Sequence, residues 1–150
     1  MASTKNEAAS AAHGLSETTL QELSRRAKEA KATAYCPYSN FRVGAAVLHR
    51  DGTTITTGAN VENASYPVGS CAERVALARA VVEGGRAFRA LAVATDVSPA
   101  ASPIREFCDP SVPIVLVAGD DRFEVVTLEQ LLPMSFGPEH LSTTTTTTAA

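Results

Sequence analysis

The spacing of hydrophobic residues predicts a long first helix near the start of the chain. Ser16 has the side chain of an N-cap, Glu17 suits a first turn, and Pro37 should end the helix. Between them, small and apolar residues recur every three or four positions. This predicted inner face consists of Leu20, Leu23, Ala27, Ala30 and Ala34.

Period-two alternation then predicts a β-hairpin. Residues 41–48 place Phe41, Val43, Ala45 and Val47 on one face of a strand, and residues 53–61 return as its partner. The dipeptide Asp51-Gly52 between them is typical of a tight turn. Further apolar runs predict strands at 91–95, 114–118 and 123–127, with helices at 71–83, 104–108 and 128–132.

This order of elements predicts an α/β domain. A hairpin followed by alternating strands and helices favours a mixed five-stranded sheet covered on both faces, which is a three-layer α/β/α arrangement. We expect the ordered domain to span residues 15–141. Residues 1–14 are expected to form a disordered leader and the Thr-rich residues 142–150 a disordered tail.

The amino-acid composition argues against several classes of protein function. The 150 residues suit one domain, and the net charge of -3 with no cluster of Lys or Arg argues against a nucleic-acid partner. No apolar run approaches the roughly 18 residues of a membrane span, and the N-terminus lacks the apolar core of a secretory signal. Three cysteines, an odd number, do not suggest a disulfide framework, so we expect a reducing cytoplasm.

Candidate chemistry lies at the start of the second long helix. Cys71 should occupy the helix N-terminus, where partial positive charge stabilises the thiolate that binds metal ions. Glu73 follows in the same turn and could carry a proton to and from a metal-bound water without ligating the metal. Taken alone, the pair also fits a buried cysteine and a glutamate that stabilises the helix dipole.

Several longer motifs accompany this pair in a fixed order: 34–41 (AYCPYSNF), 43–46 (VGAA), 60–64 (NVENA), 71–74 (CAER), 129–133 (EQLLP) and 135–138 (SFGP). In this combination, over roughly residues 16–141, the chain resembles the cytidine deaminase family of the small, homotetrameric, zinc-dependent type. The resemblance implies hydrolytic deamination of cytidine and deoxycytidine in pyrimidine salvage, a Zn²⁺ cofactor and a cytoplasmic homotetramer.

The resemblance also implies roles for individual residues. Cys71 would ligate zinc, Glu73 would move the proton during catalysis, and Arg74 would hydrogen-bond the ligand thiolates. Substrate contacts are implied for Phe41, Asn60, Glu62, Ala64, Tyr66, Ala72 and Phe136.

Among these contacts, Asn60 and Glu62 would bind the ribose 3′-hydroxyl. Phe41 would pack against the pyrimidine, and the Ala72 backbone would contact the base. Ala64 and Tyr66 would reach a neighbouring subunit's pocket, which Phe136 would close. We interpret Cys36, which also lies within a matching motif, as a core residue without metal.

The chain departs from the family at its second zinc-binding motif. Zinc deaminases pair the ligand-x-Glu motif with a P-C-x-x-C segment. Here Ser102-Pro103 is followed directly by residues 104–107 (IREF), so both flanks match while about seven residues between them are missing. Cys108 alone cannot replace two ligands, and His49, Asp96 and Asp109 have no motif to support them.

Three functional interpretations remain open. The first is a cytidine deaminase in which the gap is an error in the sequence, such as a misplaced exon boundary. The second is a catalytically inactive homologue or regulatory subunit that keeps the nucleoside pocket but lacks two zinc ligands. The third is an unrelated metal site that uses Cys108.

Overall fold

The computed structural model describes residues 14–95, 108–117 and 123–131. The predicted leader and the Thr-rich tail therefore lie outside the described residues, except for Gly14, as does most of the helix predicted at 104–108. Within the described part, no helix is both long and apolar enough to cross a membrane.

Three helices and five strands make up the described domain. The helices are α1 (Glu17–Lys31), α2 (Ala72–Val82) and the single turn α3 (Leu128–Leu131). The strands are β1 (Val43–His49), β2 (Ile55–Ala59), β3 (Phe88–Thr95), β4 (Pro113–Val117) and β5 (Phe123–Thr127). A short 3₁₀ turn spans Tyr66–Val68.

The five strands form one mixed sheet in the order β2-β1-β3-β4-β5. Strand β3 runs parallel to β4, and the other neighbouring pairs are antiparallel. The carboxyl ends of β3 and β4 therefore lie at the same edge of the sheet as the beginning of β1 and the end of β2. The predicted mixed five-stranded sheet is confirmed.

Alternation along the strands divides the core between the two faces of the sheet. Helix α1 buries its apolar face, including Leu20 and Leu23, against one face, together with Ala46, Leu48 and Ala92. Helix α2 packs on the opposite face, where the buried side chains include Ala45, Val47, Leu91, Val93 and Ile114. The predicted α/β/α layering follows from these two separate cores.

The first helix begins as predicted but ends earlier. The Ser16 hydroxyl accepts a hydrogen bond from the Thr19 amide at 3.1 Å, which confirms the N-cap. The prediction that the helix continues towards Pro37 is wrong, because it ends at Lys31. Beyond it the backbone of Tyr35 pairs with the chain at residues 60–62, through N···O distances of 3.0 and 2.7 Å, and this pairing requires an extended conformation.

The hairpin turn between β1 and β2 is confirmed, and its aspartate is tightly held. The Asp51 carboxylate accepts bonds from the backbone amides of Thr53 and Thr54, each at 2.9 Å, and from the Thr54 hydroxyl at 2.5 Å. Gly52 takes a φ of 77°, which glycine adopts at little cost. The Thr54 hydroxyl, helped by the two amides, lowers the pKa of Asp51 from 3.8 to about 2.

Because this pKa is lowered on folding, the carboxylate stabilises the hairpin above pH 3.8 and loses that contribution as the pH falls towards 2. We expect Asp51→Asn to reduce the fall in melting temperature between pH 5 and pH 2 relative to the unmodified chain. The effect should be small, since the side chain is solvent-exposed. Glu124→Gln, at another exposed carboxylate, is the control, and an unchanged pH profile for Asp51→Asn would contradict the assignment.

Candidate active site

A cleft opens at the edge of the sheet where the beginning of β1, the segment 60–70 and the N-terminus of α2 meet. Its volume is about 230 Å³, and it is lined by Val43, Asn60, Val61, Glu62, Asn63, Tyr66, Gly69, Ser70 and Cys71. Four of the residues selected from the sequence thus share one cavity: Asn60, Glu62, Tyr66 and Cys71. The cavity is smaller than the roughly 300–1,000 Å³ typical of small-molecule sites.

Backbone pairing brings the two ends of the cleft-forming segment together. Val61 and Ser70 exchange two backbone hydrogen bonds of 2.9 Å, so the residues between them form a closed loop. On its other side, Val61 also forms a bridge with Tyr35. This double pairing places Cys71, the residue after Ser70, beside Asn60 and Glu62.

Cys71 lines the cleft, and Glu73, which is not among the lining residues, is buried beside it. Cys71 is the N-cap residue of α2, and Glu73 lies in the first turn with only 3% of its surface exposed. Burial raises the pKa of the Glu73 carboxyl above its usual value, and the neighbouring Cys71 thiol offsets this in part. Burial also raises the pKa of the Cys71 thiol, with the Glu73 charge adding to the shift. A buried carboxyl with a raised pKa is suited to carrying a proton in catalysis.

Glu62 accepts several hydrogen bonds from the segment that precedes β1. The backbone amides of Tyr38 and Ser39 donate to its carboxylate at 2.9 and 3.2 Å, and the Ser39 hydroxyl donates to the other oxygen. The Ser39 hydroxyl in turn accepts a bond from the Phe41 amide at 3.0 Å. These donors, led by the Ser39 hydroxyl, lower the pKa of Glu62, so its carboxylate is charged at neutral pH.

The Asn60 side chain binds the backbone of the segment that leads into β1, at Phe41 and Val43. Its amide oxygen accepts a bond from the Val43 backbone at 2.8 Å, and its amide nitrogen donates to the Phe41 carbonyl at 2.8 Å. Each side-chain atom still has one hydrogen-bonding position left for a ligand. Asn60 and Glu62 therefore fix residues 38–43 against the cleft in addition to lining it.

The structure also shows a residue that sequence reasoning left without a role. Ser39 joins the Glu62 carboxylate to the Phe41 backbone through a single hydroxyl. Its position inside the motif at 34–41 was the available signal, but the sequence did not indicate that its partner lies 23 residues further on.

The other predicted site residues have different surroundings. Phe41 lies outside β1 and is 37% exposed, while Ala72, the first residue of α2, is fully buried in the core between this helix and the sheet. Tyr66 is 74% exposed and contacts Tyr38 edge to face, with ring centroids 6.2 Å apart. Ala64 and Arg74 are exposed. Phe136 lies outside the described residues.

The interpretation of Cys36 as a core residue is wrong. Its side chain is half-buried and belongs to neither core cluster, because α1, whose face packs on the sheet, has already ended at Lys31. Cys108, by contrast, is buried in the core on the α2 face of the sheet.

The described residues do not fit a catalytic zinc ion. Such an ion requires three protein ligands and an open position for water. Within residues 14–95, 108–117 and 123–131, no three His, Cys, Asp or Glu residues come together to hold a metal. Cys71 offers one thiol. Cys108 is packed among apolar side chains, and burial raises its pKa to about 12, which opposes the thiolate form that binds zinc.

Comparisons with known proteins agree on one family. The protein-family model described as "cytidine and deoxycytidylate deaminase zinc-binding region" matches residues 17–108 of this chain. The cytidine deaminase of Sporosarcina psychrophila is 43% identical over 130 residues, covering 82% of this chain and 95% of the relative. The cytidine deaminase of Halalkalibacterium halodurans is 39% identical over 129 residues, covering 81% of this chain and 97% of the relative.

Solved structures show the same similarity. The cytidine deaminase of Burkholderia pseudomallei, determined at 1.6 Å, superposes with a TM-score of 0.70 at 39% identity, covering 77% of this chain and 97% of that one. The Mycobacterium tuberculosis cytidine deaminase gives a TM-score of 0.64 at 34% identity, covering 77% of this chain and 95% of that one. The expected fold and family resemblance are thus confirmed.

Proposed function

The chain belongs to the cytidine deaminase family, and from this premise we propose that it hydrolyses cytidine and deoxycytidine. In this reaction water replaces the amino group at C4 of the base, giving uridine or deoxyuridine and ammonia. The observation that carries the proposal is Glu73, a buried carboxyl with a raised pKa that lies beside Cys71, a residue of the cleft wall. The relatives named cytidine deaminase, which align over 95% and 97% of their own length, favour this enzyme over the catalytically inactive homologue.

Glu73 is the proposed proton carrier of the reaction. Hydrolysis at C4 requires a group that takes the two protons of the attacking water in turn, delivering one to the ring nitrogen and the other to the departing amine. A carboxyl whose pKa is raised by burial can hold each of these protons between its uptake and its delivery. The family implies a Zn²⁺ cofactor, to which Cys71 would contribute one ligand.

Asn60 and Glu62 are proposed to select nucleosides over free bases. Both line the cleft beside Cys71, and the charged Glu62 carboxylate is a strong acceptor for a ribose hydroxyl. Phe41, whose backbone both residues help to position, is proposed to pack against the pyrimidine. Tyr66 and Ala64, exposed at the rim, remain proposed contacts for a neighbouring subunit's substrate, and Phe136 for closing that site.

Calorimetry with cytidine and cytosine tests this pocket. Two hydrogen bonds to the ribose, each contributing about 1 kcal/mol, should make cytidine bind at least about tenfold more tightly than cytosine. Glu62→Gln should reduce that difference, whereas Glu124→Gln, at an exposed acid on β5, should leave it unchanged. Equal affinities for cytidine and cytosine would show that Asn60 and Glu62 do not bind ribose.

The working form is proposed to be a cytoplasmic homotetramer that serves pyrimidine salvage. Large exposed apolar side chains surround the cleft, and such patches are typical of interaction surfaces; they are Tyr35, Tyr38, Val61, Tyr66 and Val68. The three cysteines are free thiols, which suits a reducing compartment.

A further inference from the structure

A second cavity lies on the outer side of β2, between α1 and α2. Its volume is about 480 Å³, roughly twice the 230 Å³ of the candidate active-site cleft, and the two cavities have only Val61 in common. A volume of roughly 300–1,000 Å³ is typical of ligand sites. We call this cavity the β2-edge groove, and its lining includes Arg26 and Glu29 of α1, Thr57, Gly58 and Ala59 of β2, and Arg79 of α2.

The floor of the β2-edge groove is an unpaired edge of the sheet. Strand β2 is outermost and has β1 on one side. In an antiparallel pair, successive residues turn their backbone groups alternately towards the neighbouring strand and away from it. The Asn60 amide donates to the Val43 carbonyl at 3.1 Å, so residues 56, 58 and 60 face β1. The backbone groups of Thr57 and Ala59 therefore point outwards, and no described residue pairs with them.

The walls of the groove lie on opposite faces of the sheet. Ala46, the partner of Thr57 in β1, faces α1, whereas Ala45, the partner of Gly58, faces α2. A Cβ atom on Gly58 would lie 2.4 Å from the Ala76 backbone nitrogen, so α2 rests directly against the strand. A peptide strand added to β2 would enter between the two helices, and its successive side chains would point alternately towards α1 and α2.

The chain itself adds to this edge immediately beyond the groove. The Tyr35 amide donates to the Asn60 carbonyl at 3.0 Å, and the Glu62 amide donates to the Tyr35 carbonyl at 2.7 Å. The edge is therefore covered at residues 60–62 and open at Thr57 and Ala59. A peptide that pairs with Thr57 and Ala59 would continue the line that Tyr35 begins, which is the geometry of strand addition.

Arginine side chains line both walls of the groove. Arg26 of α1 forms no ion pair or hydrogen bond with the residues that the structure describes. Arg79 of α2 donates through Nε to Glu83 at 2.8 Å, and its two terminal nitrogens have no further partner in the described part of the chain. Glu29 also lines the groove, but its carboxylate pairs with Arg25. The groove thus offers a guanidinium group on each face of the sheet.

These charges distinguish between the occupants that an open edge could take. A second copy of the same edge would bring its own Arg26 and Arg79 into the groove, where like charges repel. An acidic peptide brings carboxylates, which a guanidinium group binds through two parallel hydrogen bonds. We propose that the β2-edge groove binds an extended acidic segment of another protein by strand addition, with two adjacent acidic side chains reaching Arg26 and Arg79. The proposal does not depend on the reaction proposed for the cleft.

Calorimetry on the full chain with a synthetic peptide tests the role of charge. The probe is acetyl-Thr-Val-Glu-Glu-Val-Thr-amide, and the control peptide has glutamine in place of both glutamates. At low salt the acidic peptide should bind about tenfold more tightly than the control, which is the combined effect of two exposed ion pairs. The difference should shrink at about 1 M salt. Equal affinities at low salt, or no binding of either peptide, would overturn the proposal.

Variants of the two arginines test where the acidic side chains bind. Arg26→Gln and Arg79→Gln should each weaken binding of the acidic peptide about threefold. Arg50→Gln, at an exposed arginine outside the groove, is the matched control and should bind as the unmodified chain does. The double variant Arg26→Glu with Arg79→Glu should instead prefer acetyl-Thr-Val-Lys-Lys-Val-Thr-amide, and this gain cannot come from unfolding. Equal weakening by Arg50→Gln would refute the assignment of the two arginines.

Hydrogen exchange followed by NMR tests the pairing of the backbone. In the free chain the Thr57 and Ala59 amides should exchange faster than those of Thr56 and Gly58, which bond to β1. The acidic peptide should slow exchange at Thr57 and Ala59, whereas glutarate, a free dicarboxylate, should not. Unchanged exchange in the peptide complex, or glutarate binding as tightly as the peptide, would refute strand addition in favour of a small-anion site. Slow exchange at both amides in the free chain would show that a second copy already occupies the edge, which would also overturn the proposal.

Discussion

Replacing Gly44 by alanine is expected to unfold the domain or to reduce its stability by about 3 kcal/mol or more, at the upper end of the effects of overpacking. A Cβ atom at this position would lie 2.1 Å from the Ala27 carbonyl oxygen and 2.3 Å from the Lys31 amide nitrogen of α1. Both contacts are with helical backbone, which cannot rotate away as a side chain can. The helix would have to move off β1 as a unit.

The matched control is Gly69→Ala, where the nearest atom to the new Cβ would be the Val61 carbonyl oxygen at 3.3 Å and φ is -62°. We expect this protein to remain folded with a small change in stability. Urea unfolding followed by circular dichroism measures both variants. Equal stability of Gly44→Ala and the unmodified chain would mean that α1 does not approach β1 as closely as described.

Local sequence patterns predicted most of the fold because the relevant interactions are short in range. Alternation placed Val43, Ala45 and Val47 on one face, and the Asp51-Gly52 pair predicted the turn between β1 and β2. The end of α1 could not be predicted in this way. It depends on the pairing of Tyr35 with residues 60–62, which no local pattern contains.

The candidate site was predictable to a similar extent. The spacing of Cys71 and Glu73 on one helical turn suggested their proximity, and the motif at 60–64 suggested that Asn60 and Glu62 belong with them. The sequence did not reveal that both residues also bind the segment 38–43. These bonds, including those made by Ser39, depend on how two distant loops meet.

The largest expected effect on activity comes from replacing the proposed proton carrier in Glu73→Gln. Glutamine has nearly the same shape as glutamate but cannot accept and return a proton. General acid–base catalysis contributes about 10²–10⁴-fold, and Glu73 is proposed to act in several successive transfers. We therefore expect kcat to fall by about a thousandfold or more.

Two further measurements show whether this loss is chemical or structural. The buried carboxyl has a raised pKa, so a neutral amide at this position should not reduce the melting temperature near neutral pH. Cytidine affinity by calorimetry should also stay within a few-fold, since the ribose contacts proposed for Asn60 and Glu62 are unchanged. Glu124→Gln controls for the loss of a negative charge and should retain full activity. A kcat for Glu73→Gln close to that of this control would assign the proton transfer to another group, whereas loss of cytidine binding would show that Glu73 maintains the site's structure.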